Sequence, residues 1–184
     1  MTESGVGSQE SRIKNGGHIP VNEVNRSFPV LLSFGSNLGN RHKTIDDAWH
    51  ALSQTANIQV VRLSPFYETE PVGGPADQPM YINAAGIIQT TLPPMELLQI
   101  LQRIETDFGR IRAEHWGART LDIDILLYGD RIIESPTLTI PHPEILHRQF
   151  VLTPANDIAA DWVHPLTKTT LQELHNEQRT SESE

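Results

Sequence analysis

The order of the periodic segments is the feature that most restricts the fold. Phe28 opens an apolar run, FPVLLSFGS, that predicts a strand, and the segment from Asn40 carries apolar residues at helical spacing. IQVVRLSPFYE and YINAAGIIQTT predict two more strands, and LPPMELLQILQRIETDFG, with Pro94 near its start and Gly109 at its end, predicts a second helix. RTLDIDILLYGD predicts a fourth strand, and YGDRII predicts that this strand turns into a short hairpin. The order βαββαβ predicts the ferredoxin-like plait, an α+β fold with helices covering one face of an antiparallel sheet.

The two ends of the chain differ from this periodic region. Residues 1–27 are rich in Gly, Ser, Asn and Glu and show no periodicity. Such a segment buries too little surface to offset its ordering entropy, so we predict a flexible N-terminal leader. For the same reason, residues 177–184 are predicted to be a flexible tail. Residues 28–176 then form one domain, which is long enough for a hydrophobic core.

The composition excludes several classes of protein. The chain contains no cysteine, so a metal would have to be bound by oxygen or imidazole ligands. The formal net charge of −9 repels polyanions, and we therefore expect no nucleic-acid partner. No apolar run reaches the roughly 18 residues of a membrane span, and the N-terminus lacks the apolar core of a signal peptide. We expect no membrane association, a cytoplasmic location and a monomer.

Two aspartates interrupt the apolar strand RTLDIDILLYGD. Alternation places Asp122 and Asp124 on one face of the strand, with their Cα atoms about 6.6–7 Å apart. Leu121, Ile123 and Ile125 then point to the opposite face. A bound cation removes the repulsion between adjacent carboxylates, and Mg²⁺ is the natural candidate because it takes one or two carboxylates and completes its shell with phosphates and water. A solvated outer face of an amphipathic strand is the alternative explanation for this pair alone.

A basic segment, GRIRAEHWGART, precedes this strand. It contains Arg110, Arg112 and Arg119 in a protein that is acidic overall. Arginine binds phosphate oxygens bidentately, so arginines beside metal-binding carboxylates indicate a Mg-nucleotide site and phosphoryl transfer. The sequence has no GxxxxGK[ST] motif and no kinase-type GxGxxG motif, and the nucleotide would therefore be held by side chains.

Tyr81 and Asn83 lie at the start of the predicted third strand. Residues at i and i+2 share a strand face, and a ring beside an amide suits a planar heterocycle rich in donors and acceptors. An aromatic residue at this place, taken alone, is more often part of the core.

A resemblance to a known family rests on five segments that follow one another between Phe28 and Leu174: FGSNLGNR, DQPMYINAA, QRIETDFGRIR, WGARTLDIDILLYG and LTIPHPEILHRQFVL. Together they resemble the 6-hydroxymethyl-7,8-dihydropterin pyrophosphokinase family. The resemblance implies an ATP-dependent diphosphotransferase of folate biosynthesis. Such an enzyme moves the β and γ phosphates of ATP together onto the hydroxymethyl oxygen of the pterin and releases AMP. The implied partners are small molecules, with two Mg²⁺ ions as cofactors and ATP as co-substrate.

The resemblance also implies roles for individual residues. The catalytic residues would be Arg110, Arg112, Asp122 and Asp124, and the two aspartates would be the metal ligands. Contacts with ATP are implied for Gln102, Glu105, Arg112, Trp116, Arg119, Thr139, His142 and Arg148. Contacts with the pterin are implied for Asn37, Thr69, Tyr81, Asn83, Trp116 and Phe150. In this assignment the rings of Tyr81 and Phe150 enclose the pterin.

Two other functions remain open from the residues themselves. A Mg-dependent phosphohydrolase would also use the aspartate pair, although the DxDxT form of such enzymes is absent. A non-catalytic pterin-binding module would keep Tyr81 and Asn83 without needing the two aspartates and three arginines. Release of AMP from ATP, measured with and without the pterin, separates the three functions.

Overall fold

The computed structural model describes residues 26–72, 78–109 and 120–181. The strands are β1 (Phe28–Ser36), β2 (Ile58–Leu63), β3 (Tyr67–Thr69), β4 (Tyr81–Thr90), β5 (Asp122–Tyr128), β6 (Ile133–Glu134) and β7 (Thr139–Ile140). The α-helices are α1 (Arg41–Ser53), α2 (Pro94–Asp107), α3 (Gln149–Ala159) and α4 (Leu171–Ser181), and a 3₁₀ turn spans Pro143–Leu146. No helix within the described ranges is long and apolar enough to cross a membrane.

The main sheet is antiparallel, with the strand order β2-β4-β1-β5 and with β3 also paired to β4. The predicted second strand is divided into β2 and β3 at Ser64 and Pro65. Ser64 Oγ accepts a hydrogen bond from the N–H of Ala85 at 2.9 Å, so a side chain replaces a backbone acceptor there. Pro65 has no N–H to donate. Because β2 and β3 both pair with β4, they occupy the place of one strand, and the predicted ferredoxin-like order is confirmed.

Helices α1 and α2 pack on one face of the sheet, which we call the α1–α2 face. Val30, Leu32 and Phe34 alternate along β1 toward this face and share a buried cluster with Ile45 of α1 and Leu101 of α2. On β4, Gly86 allows a close approach, since an added Cβ would lie 2.5 Å from the ring of Trp49. This glycine is therefore required by core packing.

The opposite face of the sheet, the α3–α4 face, carries a second helical layer that the sequence does not predict. Leu31, Ala85 and Leu126 from three strands are buried against Leu152 of α3 and Leu174 of α4. The prediction that helices cover one face only is therefore wrong, and the sheet lies between two helical layers. Pro154 inside α3 is a helix-breaking signal at the sequence level, which hides this helix.

The end of the described chain also differs from its prediction. Helix α4 continues to Ser181, beyond residue 176, where composition places the start of a flexible tail. The buried residues Leu171 and Leu174 hold its first turns, and Gln178 Nε2 donates a hydrogen bond to the carbonyl of Leu146. These contacts give the polar segment packing partners that its composition does not reveal.

The strand that follows β5 does not form the predicted hairpin with it. β6 pairs with β7 through Ile133 opposite Ile140, in a separate two-stranded sheet, and does not pair with β5. This small sheet leads the chain from β5 to the 3₁₀ turn.

Candidate active site

The α3–α4 face is covered by helices along only part of its length. Leu31, Ala85 and Leu126 form the covered half, which is buried under α3 and α4. Farther along β1 the face is open and forms the floor of a cavity of about 460 Å³. The open half consists of Ser33, Gly35, Asn83, Asp122 and Asp124.

Strand pairing arranges the open half in rows. Ser33 of β1 lies opposite Asp124 of β5, and Gly35 lies opposite Asp122 on one side and opposite Asn83 of β4 on the other. Directly opposed residues of antiparallel strands point to the same face. One row of the floor therefore places an amide and a carboxylate on either side of a glycine.

The two aspartates lie as the alternation predicts. Both are partly buried and line the cavity, whereas Leu121, Ile123 and Ile125 belong to the buried cluster on the α1–α2 face. The alternative explanation, a solvated outer face, does not fit side chains that share a cavity wall. Their position is what a site for a cation bound between a protein and its substrate requires.

Contacts with α2 and with the 3₁₀ turn fix the backbone of β5. The N–H of Ile123, between the two aspartates, donates to Glu105 Oε1 at 2.8 Å, and Glu105 is only 2% exposed. The carbonyl of Leu126 accepts from the N–H of His142 at 2.9 Å. The spacing of the aspartates is thus held from outside the main sheet, and the second contact brings His142 to the site.

The pterin side of the predicted site is assembled around Asn83. This residue is 6% exposed, and its Nδ2 donates to Thr69 Oγ1 at 2.8 Å, which fixes the plane of the amide. Tyr81 lies on the same strand and lines the same cavity, and Phe150 at the start of α3 lines another part of the wall. The structure therefore brings Thr69, Tyr81, Asn83 and Phe150 together around one cavity, and their contacts with a pterin stay predictions.

A cluster of polar side chains around the 3₁₀ turn lines the cavity beyond the aspartates. His142 precedes this turn, and its Nδ1 accepts from the N–H of Glu144 at 3.2 Å. Arg148 follows the turn and forms an ion pair with Glu144, with Nε and Oε2 3.4 Å apart, while its guanidinium lies 5.7 Å from the Phe150 ring centre. An imidazole and a guanidinium therefore line the same cavity as the two carboxylates.

Some predicted residues lie elsewhere. Asn37 is buried beside the cavity, and its Nδ2 donates to Gln78 Oε1, which does line it, at 3.4 Å. Gln102 is partly exposed on α2, and Thr139 is exposed on β7. With Glu105, these residues are outside the cavity lining, and their predicted contacts stay predictions. Outside the described residues are Arg110, Arg112, Trp116 and Arg119.

Arg41 is a functional candidate that the sequence does not reveal. Its Nη1 donates to the carbonyl of Met80 at 2.6 Å, and its Nη2 lies 2.8 Å from Glu68 Oε1. Met80 precedes Tyr81 and Glu68 precedes Thr69, so one side chain at the start of α1 holds the adjoining ends of β3 and β4. Such a long-range contact has no local sequence signal.

Several residues that line the cavity are also absent from the sequence predictions, among them Ser33, Gly35, Glu70, Gln78, Glu144 and His147. Alternation along β1 is the signal that could have found Ser33 and Gly35, because they follow Leu31 at intervals of two.

The donor set of the open half fits a hard cation. Among the described residues, no group of three or more His, Asp or Glu side chains gathers at one point. Asp122 and Asp124 alone would leave most positions around an ion to other ligands. Mg²⁺ is commonly bound in this way, by one or two carboxylates together with substrate phosphates and water.

A ferredoxin-like sheet with a carboxylate pair, in a cavity that two aromatic rings also line, is typical of a small-molecule phosphotransferase. The protein-family model described as 7,8-dihydro-6-hydroxymethylpterin-pyrophosphokinase (HPPK) matches residues 31–160, and the chain belongs to this family. Transfer of pyrophosphate from ATP to hydroxymethyldihydropterin, a step of folate biosynthesis, is the activity of the family, and the chain is a kinase of this type.

Curated relatives support this assignment. The 2-amino-4-hydroxy-6-hydroxymethyldihydropteridine pyrophosphokinase of Haemophilus influenzae is 48% identical over 136 residues, which cover 74% of this chain and 84% of that protein. The corresponding protein of Synechocystis sp. is 44% identical over 155 residues, which cover 84% of this chain and 78% of that protein.

A solved structure supports the fold. Plasmodium falciparum HPPK-DHPS with pteroate matches 83% of this chain with a TM-score of 0.65 and 16% identity. The match covers 42% of that longer chain.

Proposed function

We propose that the cavity over the open half is where pyrophosphate passes from ATP to the hydroxymethyl oxygen of 6-hydroxymethyl-7,8-dihydropterin, with release of AMP. The observation that carries this proposal is the row Asn83, Gly35, Asp122. The outer two residues are two strand spacings apart, or about 10 Å between Cα atoms. A ring held at the amide can thus present a short substituent to an ion held at the carboxylate.

The pterin ring would bind between Tyr81 and Phe150. Two aromatic rings in one cavity provide flat apolar surfaces, and the amide of Asn83 provides hydrogen bonds at the ring edge. The bond from Asn83 to Thr69 means that the amide is oriented before the ligand arrives, which lowers the entropy cost of binding.

Asp122 and Asp124 would bind two Mg²⁺ ions together with the phosphates of ATP. Mg²⁺ bound there would neutralise negative charge on the transferred group. The carboxylates hold that position because Glu105 and His142 fix their strand. The buried contact of Glu105 with Ile123 supports a positioning role for this residue, in addition to the ATP contact that the resemblance implies.

The nucleotide would lie along the wall formed by His142 and Arg148. A guanidinium and an imidazole that line the same cavity as the aspartates would provide donors for phosphate oxygens. Gln102 and Thr139 are proposed on the ATP side, and Arg110, Arg112, Trp116 and Arg119 are proposed to contact the phosphates and substrates from the segment before β5.

The experiment that tests this function measures the AMP and the pterin diphosphate ester formed from ATP. We expect equal amounts of both products, and no AMP when the pterin or Mg²⁺ is left out. Release of phosphate without the pterin would indicate the phosphohydrolase. Binding of the pterin with no AMP under any condition would indicate the non-catalytic module.

The remaining proposals concern the whole molecule. We propose that it acts as a monomer in the cytoplasm, with small molecules as its only partners. Light scattering at micromolar concentration tests the first point, and a stable dimer would contradict it.

A further inference from the structure

Gly35 lies at the centre of the cavity floor. An ideal Cβ built on it would be 3.7 Å from Asn83 Oδ1, 3.9 Å from Asp122 Cβ and 3.9 Å from Tyr81 Cδ1. Three residues of the proposed site therefore converge on the volume that a side chain at this position would occupy. The missing side chain keeps that volume open.

The fold itself does not explain this glycine. Gly35 is not among the residues with positive φ, so its backbone conformation is one that alanine adopts. The distances around its ideal Cβ are ordinary van der Waals contacts, in contrast to Gly86, where the ring of Trp49 would be only 2.5 Å away. Glycine inside a strand also costs conformational entropy on folding. Neither the backbone conformation nor core packing therefore requires glycine here, and its described contacts indicate a role in the cavity.

We propose that Gly35 is a specificity-determining residue, whose bare Cα leaves open the passage by which the hydroxymethyl arm of the pterin reaches Asp122. This inference rests on the proposed function. With the ring at Tyr81 and Asn83 and the ions at Asp122 and Asp124, the direct line from ring to ion crosses Gly35, because this residue pairs with Asn83 and Asp122 at once. A methyl group there would stand in the path of the arm.

The test compares three ligands in the variant Gly35→Ala: 6-hydroxymethylpterin, pterin without the arm, and a non-hydrolysable ATP analogue. The pterins are titrated with Mg²⁺ and the analogue present. We expect affinity for hydroxymethylpterin to fall about 10- to 100-fold, the size of effect that one methyl group has in a fitted pocket. Affinities for the armless pterin and the ATP analogue should change less than about 3-fold.

Thermal unfolding separates this effect from damage to the fold. Gly35→Ala should unfold at the same temperature as the wild type or slightly higher, since alanine restricts the unfolded chain. Gly86→Ala is the matched control in the same sheet, and its clash with Trp49 should lower the unfolding temperature without changing the order of ligand affinities. Gly35→Ser provides a second variant of similar size, for which the same ligand order is expected.

Two results would overturn the inference. One is an equal loss of affinity for the pterins with and without the arm, and the other is wild-type affinity of Gly35→Ala for both. Failure of the wild-type protein to bind hydroxymethylpterin would instead contradict the proposed function, so the two failures can be distinguished.

Discussion

The covered and open halves of the α3–α4 face use the same three strands for opposite purposes. In the covered half, Leu31, Ala85 and Leu126 are fully or almost fully buried under helices. Two residues farther along β1 and β4, the positions of Ser33 and Asn83 face a cavity. The covered half is held under the helices, and the same strands fix the positions of the two carboxylates in the open half. We therefore expect stability and chemistry to be separable along one strand.

The sharpest test of this separation removes a carboxylate from the open half. Asp122→Ala or Asp124→Ala should lower Mg-dependent AMP formation by on the order of 1,000-fold, since the ions would lose a ligand. Thermal unfolding should change little. Asp130→Ala is the matched control, because Asp130 is an exposed carboxylate just beyond β5. Near wild-type turnover of either site variant at saturating Mg²⁺ would contradict the proposed role of the aspartates as metal ligands.

A substitution in the helices over the covered half should have the opposite result. Leu152 is 0% exposed, and Leu152→Ala should lower the free energy of unfolding by about 2–5 kcal/mol through lost burial and a cavity. Turnover per folded molecule should remain near wild type. Denaturant titration measures the free energy of unfolding, and rates divided by the concentration of folded protein measure turnover. Leu166→Ala is the control, because the Leu166 side chain is 59% exposed. A fall in turnover without loss of stability would show that the two halves are not separable.

Arg41→Met tests a contact that supports the open half from outside. Loss of the bonds to Met80 and Glu68 should weaken pterin affinity about 10-fold, because Tyr81 and Thr69 would no longer be fixed. Affinity for the ATP analogue should stay the same. Lys43→Met is the control on the same helix, since it removes an exposed ion pair with Asp47. Equal loss of both ligands would argue for a general effect of α1.

The smallest expected effect concerns pH and the α3–α4 layer. Burial lowers the pKa of His164 and of His175 from the ordinary 6.5. The unfolded chain therefore binds more protons below pH 6.5, and the stabilisation present above that pH is lost as the pH falls toward the folded pKa values. Denaturant titrations from pH 7.5 to 5 should show a decline that is smaller in His164→Asn. If stability declines with falling pH equally in His164→Asn and in the wild type, His164 does not contribute to the pH dependence of stability.

Local periodicity could predict the strands and the orientation of their side chains. Alternation places Asp122 and Asp124 on one face, and Tyr81 and Asn83 on one face, and the structure agrees in both cases. The burial of Glu105 could also be predicted, because this residue follows Leu101 by four residues on the buried side of α2.

What the sequence could not predict depends on distant partners. The split between β2 and β3 requires Ser64 to meet Ala85 across the sheet. Helix α4 is polar, and a hydrogen bond to the distant carbonyl of Leu146 helps to hold it in place. Helix α3 contains a proline, which argues against a helix when the local sequence is considered alone. Arg41 likewise acts on residues far along the chain. Such contacts exist only after the sheet has formed, so no window of sequence contains them.

The hydrogen bond between Glu105 and Ile123 affects whether two molecules of this protein can pair through the edges of their sheets. β5 ends the main sheet, and an exposed outer strand is a template for pairing with a second chain. Glu105 and the backbone of His142 occupy a donor and an acceptor of that strand. On the other outer strand, β2, the register shifts between Val60 and Arg62, which interrupts a continuous edge. The residues that space the aspartates thus also occupy part of the edge along which a second chain could pair.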